Sequence, residues 1–494
     1  MKKNKILSIR TNTYLHLILL SVTVLMSCAD FEQDFADERF HTVSHAQAVT
    51  AAGGTQGIKA LDAGILSYFR DGETSDDEFG IKAVDLGMDL RSNDMDMSRN
   101  TWFGAYNNYD NRILTSNDNE YIWEFFYKII NRANLIINSV PDNPTEEQII
   151  FKAKSHTYRA IAYFYLIRIY QHTRAADATE AIPIDPGNFE PQPKSTVAQV
   201  KQLILDDLNT AYEGLKDYGR ASKEEVDGSV VAAYLARYHL TYENWVDAEK
   251  FADIAMRAGT ISADIMHGFD EISLSEVIWG ASVTDSTSEI YGSFFSHTSQ
   301  INDGYSGWNH FKTVNSNLYD MIPATDTRLA WFADQQYAPG TVMVPGTWGH
   351  YNITPKYTSL KFIAQPGPGQ FIGDYIYLRN TEFYLTKAEA LARQGRDMDA
   401  QQVLFDLNSV RDPGYAKSTN TGQALIDEIL LYRRIELWGD GVAFFDMARN
   451  GVGLNRKDGR TNLVMPGADL VIPALDDQLI YSIPQQEIDA NPNF

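Results

Sequence analysis

Cysteine is almost absent from this chain: 494 residues hold one, Cys28. No disulfide can form within the chain, so a large body must be held by packing alone, for which 44% hydrophobic and 12% aromatic content suffices. Long apolar runs are equally scarce. Tyr14 to Met26 is the most apolar of them, and its thirteen residues, at about 1.5 Å each, reach about 20 Å, short of a bilayer core of about 30 Å. Elsewhere no stretch nears the 18 or so apolar residues of a membrane span. Basic residues are outnumbered, 42 Lys and Arg against 65 Asp and Glu, for a formal charge of −23. Such a surface repels phosphate backbones, no basic stripe offsets it, and nucleic acid is excluded as a partner. The acidity reads as solubility.

Signatures of catalysis and metal binding are missing too. Gly304-Tyr305-Ser306-Gly307 is not the G-x-S-x-G elbow, Gly451-Val452-Gly453 lacks a preceding strand and a third glycine, and there is no Walker loop. Among 65 acidic residues some pair falls at glycosidase distance by chance, so carboxylates alone argue nothing. His41 and His45 are four apart without the glutamate of H-E-x-x-H, and Asp94 with Asp96 lacks the EF-hand pattern. The expectation is a chain with no catalytic residues, no metal ligands and no cofactor.

What is present begins at the N-terminus. Lys2, Lys3, Lys5 and Arg10 precede the apolar run, which ends in Leu25-Met26-Ser27-Cys28, the layout of a secretory signal cleaved before a cysteine. That order resembles a bacterial lipobox, with Met26 where a small residue is usual. The resemblance implies acylation of Cys28 and a chain held to a membrane by its lipid. Residues 1–27 are then a signal peptide and 28–50 a lipid-anchored tether. Loss of the four basic residues takes the formal charge to about −27.

Helical periodicity dominates from there. Ile122, Phe126, Ile129, Ala133, Ile136 and Val140 make an apolar seam that Pro141 and Pro144 end, and Phe151 to Tyr170 forms a second helix. Pro183, Pro186, Pro191 and Pro193 break the chain into a loop before a helix from Ser195 to about Leu215. Ala236, Ala248 and Ala255 stand twelve and seven apart around Asn244-Trp245, and Ala388 and Ala400 twelve apart around Gln394-Gly395. That spacing matches tetratricopeptide hairpins, whose helices cross closely only at small side chains. Between Ile261 and Asp374 the periodicity fades, and Tyr291 to Tyr351 holds 12 aromatics in 61 residues, well above the 12% of the whole chain. A loop-rich region of that length predicts function.

Four blocks of residues resemble one family. Leu378-Arg379-Asn380-Thr381-Glu382-Phe383-Tyr384-Leu385 leading to Ala388-Glu389-Ala390 is similar to the "L-R-x-x-E-x-x-L…A-E-A" block of SusD-like (SusD/RagB) outer-membrane lipoproteins. Asn131-Arg132-Ala133-Asn134 resembles its "N-R-A-N" helix. Arg433-Arg434-Ile435-Glu436-Leu437 with Phe445-Asp446-Met447-Ala448-Arg449 resembles its "R-R-x-E-L…F-D-x-x-R" pair, and Ile483 to Ile488 with Asn491-Pro492-Asn493 its terminal "I-P-x-x-E-I…N-P-N". The chain departs from the family at Tyr432, at Asp440-Gly441-Val442-Ala443, and in the longer loop Gln171 to Pro183. The resemblance implies a mainly α fold: a right-handed superstructure of tetratricopeptide-like pairs, here residues 51–260 and 375–494, under a loop-rich, partly β ligand-binding region at 261–374. It also implies a surface-exposed outer-membrane lid that captures oligomeric nutrients for a SusC-like TonB-dependent transporter.

Sugars present a C–H face and a rim of hydroxyls, which suit aromatic side chains flanked by hydrogen-bonding groups. Two segments carry that mixture: Asp94-Met95-Asp96 through Arg99, Trp102, Tyr106, Asn107 and Asn108, and Tyr291 with Asn302, Asp303, Tyr305, Trp308 and Asn309. In the family the platform arises from these two portions of the chain. Trp102 and Trp308 are the expected stacking surfaces, while Asp94, Arg99, Asn107 and Asn309 orient hydroxyls, with Tyr106, Tyr291 and Tyr305 alongside. Trp348, framed by Gly346, Gly349 and Tyr351, is a third candidate. Glycan capture leads; peptide capture in the manner of RagB-type relatives and a surface hydrolase on the same frame are the alternatives.

Overall fold

The computed structural model describes residues 54–494 except 72–74, 189, 285–286, 288–290, 302–303, 345–351, 365–370 and 458–469. The signal peptide, Cys28, the tether, His41 and His45 lie outside the described residues, as do Asn302, Asp303 and the Trp348 cluster of Gly346, Gly349 and Tyr351.

Helix α1 (Thr55–Arg70) and α2 (Ile81–Leu90) lead into strand β1 (Met95–Met97) and the short α3 (Gly104–Asn108). The long α4 (Asn117–Ser139) buries Ile122, Phe126, Ile129, Ala133 and Ile136, the seam read from the sequence, and packs on α5 (Glu146–Tyr170). Helix α5 starts five residues ahead of Phe151. Thr145 accepts a hydrogen bond from the Gln148 backbone N–H, while the Gln148 side chain accepts from the Thr145 N–H, so the cap lies before the apolar residues begin. The proline-rich loop carries a short hairpin, β2 (Glu180–Pro183) against β3 (Lys194–Thr196). Ser195 is therefore extended, and α6 (Val197–Leu215) starts after a second capping box at Thr196.

Helices α7 (Gly228–Thr241) and α8 (Trp245–Met256) form a hairpin. The region that follows is built from short pieces: β4 (Val277–Ala281), α9 (Phe294–Thr298), β5 (Lys312–Val314), α10 (Ser316–Met321), a 3-10 turn at Thr327–Trp331, and β6 (Tyr375–Arg379). Strand β4 pairs with β6 and β1 with β5, both antiparallel. Helices α11 (Asn380–Arg393) and α12 (Asp397–Arg411) make a second hairpin, followed by α13 (Gly422–Glu436), α14 (Ala443–Arg449), β7 (Leu454–Asn455), β8 (Val471–Ile472) and α15 (Gln485–Ala490). Helix α8 packs on both α7 and α11. There Ala248 and Ala390 are fully buried with Leu240 against Trp245, and Ala236, Ala255, Ala388 and Ala400 have no exposed surface either. Methyl side chains let the helix axes approach, and the result is the mainly α stack of helical hairpins that the spacing predicts.

Most of the sequence blocks quoted above become ion pairs and hydrogen bonds inside this stack. Glu382 accepts from two guanidinium nitrogens of Arg237, Nε and Nη2, at 2.7 Å, and Glu389 from Nη1 and Nη2 of Arg449 at 2.7 Å. Glu436, wholly buried, accepts from Arg328, Arg379 and Arg411 at 3.0–3.1 Å. Asn134 accepts from Arg159 at 2.7 Å, and the C-terminal Asn491 donates to the Gln192 carbonyl at 2.9 Å. The departure at Asp440-Gly441 fits the same interior: Asp440 receives Arg379 at 2.5 Å and Lys361 at 3.0 Å, and Gly441, at φ +84°, donates its N–H to Asp89 at 2.8 Å. Among the described residues no helix is long and apolar enough to cross a membrane.

Candidate functional site

The β1–β5 pair sets residues 95–97 beside 312–314, and Ser98 extends the join. Its N–H donates to the Phe311 carbonyl at 3.0 Å, its hydroxyl donates to the Asn309 carbonyl at 2.6 Å and accepts from the Phe311 N–H at 2.8 Å. Thr101 meets His310 Nδ1 at 2.9 Å, and the Trp102 ring lies edge-on to Tyr305 at 5.7 Å. Two segments about 200 residues apart in sequence thus share one surface.

A tight turn at 304–310 orients the rings. The Trp308 N–H donates to the Gly304 carbonyl at 3.0 Å, the His310 N–H to the Tyr305 carbonyl at 3.1 Å, and the Ser306 N–H reaches back to Ser296 on α9 at 2.8 Å. A Cβ at Gly304 would lie 2.8 Å from the Ser296 backbone, so only glycine lets the turn sit this close. Asn309 takes the left-handed conformation, φ +76°, that closes the turn. The turn sends Tyr305 inward and leaves Trp308 63% exposed.

Tyr305 then continues a column of rings from the core. Phe79 stacks on His297 at 5.5 Å, His297 on Tyr305 at 4.9 Å, and Tyr305 on His310 at 5.6 Å, with interplanar angles of 19–23°. Tyr291, 51% exposed, leans on Tyr305 at 5.7 Å and on Phe371 at 5.6 Å. Arg99, Tyr291, Gly304, Tyr305, Trp308 and His310 line an open recess of about 370 Å³. A rigid aromatic wall with one solvent-facing indole can hold a flat apolar face, and its polar edges can orient what is held.

Electrostatics at the floor are unusual for so acidic a chain. Lys312 is buried, donates to the His310 carbonyl at 3.3 Å, and burial pulls its ammonium down to about 7. His310 is pushed down to about 4 by burial and by the neighbouring Lys312 and Arg99 charges, so its ring is neutral at neutral pH. His297 is held well below its usual range, chiefly by burial and then by Lys312. The Tyr305 hydroxyl donates to Asp76, and burial with that hydrogen bond raises it to about 12.

Of the residues expected at the site, Arg99, Tyr291, Tyr305 and Trp308 line the recess, with Trp102 and Asn309 half-buried at its edge. Asp94, Tyr106 and Asn107 do not. Asp94 is buried, paired through both oxygens with Arg434 at 2.5–3.1 Å, and its carbonyl accepts from Trp438 at 2.9 Å. Tyr106 lies against Gly87 in the core, and the Asn107 side chain is interior while its carbonyl accepts from Arg456. The sequence shows these residues close to Trp102 but not that α3 turns this face inward. His310 and His297 were missed, because a lone histidine carries no pattern until its neighbours in space are known. Among the described residues there is no cluster of three His, Cys, Asp or Glu side chains able to hold a metal.

Residues 77–240 match a family model described as SusD-like, starch-binding and associating with the outer membrane, and residues 356–494 match the model of the SusD family. Together the two cover well over half of the chain. Among curated proteins the chain is similar to a SusD-like protein of Bacteroides ovatus, 23% identical over 367 residues that make up 66% of this chain and 64% of that one. It therefore matches somewhat less than two-thirds of that relative's length. A SusD-like protein of Formosa agariphila is 22% identical over 384 residues, 69% of this chain and 74% of that one. Among solved structures, a SusD-like carbohydrate binding protein from Bacteroides vulgatus aligns with a TM-score of 0.76 at 22% identity, over 90% of this chain and 97% of that one. A SusD superfamily protein from Bacteroides thetaiotaomicron aligns at 0.73 and 22% identity, over 89% and 99%. At these identities the structural likeness speaks to the fold.

Proposed function

The chain belongs to the SusD/RagB family, and from that premise we propose that it is a cell-surface glycan-binding protein which passes oligosaccharides to a SusC-like TonB-dependent transporter. The observation that carries the reading is the open recess formed by Trp308, Tyr291 and Tyr305 beside Trp102. An exposed indole grouped with the exposed Tyr291 ring and the Tyr305 ring on a braced turn offers a flat apolar face with polar edges, the composition of a ligand platform. A shallow aromatic shelf offers a sugar ring a matching flat face, whereas strand addition of a peptide needs an unpaired sheet edge and helix capture an apolar groove. Binding at one such shelf is weak, and many copies on a surface offset this through effective concentration.

Capture and release is the role, and no chemical step is assigned to any residue. Carbohydrate binding is what the Bacteroides vulgatus neighbour is named for, and starch binding is in the description of the family model that residues 77–240 match. Acylation of Cys28 would hold the chain to the outer membrane, in keeping with the family description of outer-membrane association.

Affinity electrophoresis against a panel of polysaccharides, with a peptide mixture run alongside by calorimetry, tests the reading. At least one glycan is expected to retard the parent, and Trp308→Ala to weaken that binding by about tenfold or more, about 1.4 kcal/mol. Unchanged retardation of the variant sinks the assignment of the shelf, and binding of peptides with no glycan bound sinks the glycan reading.

A further inference from the structure

The recess carries a charge that the rest of the chain would not lead one to expect. Arg99 is the one charged side chain among the described residues that line it. It is exposed, and among the described residues it makes no ion pair or hydrogen bond through its guanidinium, although the chain has 65 carboxylates to offer. Many other arginines hold an acidic partner, Arg70, Arg159, Arg174, Arg220 and Arg257 among them, and buried ones without a carboxylate, such as Arg168 and Arg456, are held by backbone carbonyls.

A second cationic group stands behind the first. Lys312 is 1% exposed, donates to the backbone carbonyl of His310, whose ring forms one wall, and among the described residues has no carboxylate in contact. Arg99 and Lys312 are the two charges that act on His310, and both act as cations do. Among the described residues, Asp76 brings a carboxylate to this wall, where it accepts the Tyr305 hydroxyl. Arg99 is therefore the standing positive charge of a recess walled by rings, and Lys312, whose ammonium burial pulls down to about 7, adds charge to it only as the pH falls.

We infer that this recess takes an acidic sugar, one whose ring packs on Trp308 and Tyr291 while its anionic group, a carboxylate or a sulfate ester, pairs with Arg99. The inference rests on the glycan-binding reading above and narrows its ligand class. A guanidinium offers a planar fork of donors that matches the two oxygens of a carboxylate or sulfate, and it stays charged at every relevant pH. The neutral His310 ring, whose Nδ1 meets Thr101, leaves its other nitrogen for a ring hydroxyl. Against this acts the formal charge of −23, which repels a long polyanion at a distance. At about 0.15 M salt that repulsion fades beyond roughly 8 Å, whereas a contact pair in the recess is screened much less.

Short oligosaccharides at that salt are thus the right probes. Calorimetry of the full chain in detergent compares oligogalacturonate with its fully methyl-esterified form, and a sulfated galactan oligosaccharide with its desulfated form, for the parent, Arg99→Gln, Arg99→Lys and Trp308→Ala. The expected result is that at least one acidic probe binds about tenfold or more tightly than its neutral counterpart, and which pair shows it separates carboxylate from sulfate. Arg99→Gln is expected to bring the ratio of acidic to neutral affinity to about one, whatever its effect on the neutral form, Arg99→Lys to keep part of the preference, and Trp308→Ala to weaken acidic and neutral forms alike. Equal affinity for acidic and neutral forms in the parent, or a preference that survives Arg99→Gln, overturns the inference and leaves the glycan reading standing. Failure of all probes and of the neutral panel together, or binding indifferent to Trp308→Ala, overturns the glycan reading at this site and the inference with it.

Discussion

Single side chains of one type meet different fates in this molecule, and the surroundings decide which. Asp94 is committed to Arg434, whereas Asp118, near the start of α4, is largely buried with Asp77 close by and has its carboxyl raised from 3.8 to about 7, chiefly by burial. A carboxyl raised in this way penalises folding once the unfolded chain ionises and the folded one must follow. The penalty is absent below about pH 4, grows as the pH rises, and is complete above about pH 7. Asp118→Asn is therefore expected to melt with the parent near pH 4 and above it near pH 8. Thermal midpoints of both proteins across that range check this, and an offset that does not change with pH counts against the burial argument.

At the scale of elements, the joints matter more than the helices. Glu436 closes α13 and binds Arg411 of α12, Arg379 at the end of β6 and Arg328 in the 3-10 turn of the loop-rich region. Glu276, just before β4, shares Arg379 and Arg411 with it. The arginines hold the Glu436 carboxyl well below the ordinary range despite its burial, so its stabilisation is present above the unfolded carboxylate range and is lost only in strong acid. Glu436→Ala leaves three buried guanidinia short of an anion. A loss of roughly 3–5 kcal/mol is expected, the size typical of a broken buried pair, read from denaturant unfolding; a loss under about 1 kcal/mol, the scale of surface pairs, would show that the joint is not structural.

At the scale of the whole molecule, a stack of helical hairpins presents one aromatic surface, and on the proposed role that surface must face outward while the N-terminus is held at a membrane. Cys28 is the only residue that can take the lipid. Cys28→Ala is expected to move the protein from the membrane to the soluble fraction, checked by fractionation and immunoblot, and continued sedimentation with membranes would reveal another anchor.

Much of this was legible in the chain itself. The seam from Ile122 to Ile136, the spaced alanines of the α7–α8 and α11–α12 hairpins and the loss of periodicity after Ile261 are local patterns, and local patterns survive into the fold because burial of one helix face needs only the right spacing. Trp102, Trp308, Tyr291, Tyr305 and Arg99 were likewise nameable as residues suited to a ligand. Their separation from Asp94, Tyr106 and Asn107 was not, because β1 and α3 present inward and outward side chains within a few residues of each other. Only the pairing of β1 with β5 and the turn at 304–310 fixed which rings reach solvent, and only the fold brought His310, with Lys312 on its carbonyl, into one recess with Arg99. Sequence determined the kinds of side chain and the elements that carry them; contacts between residues some 200 positions apart, set by packing of the whole chain, decided which of them form a site.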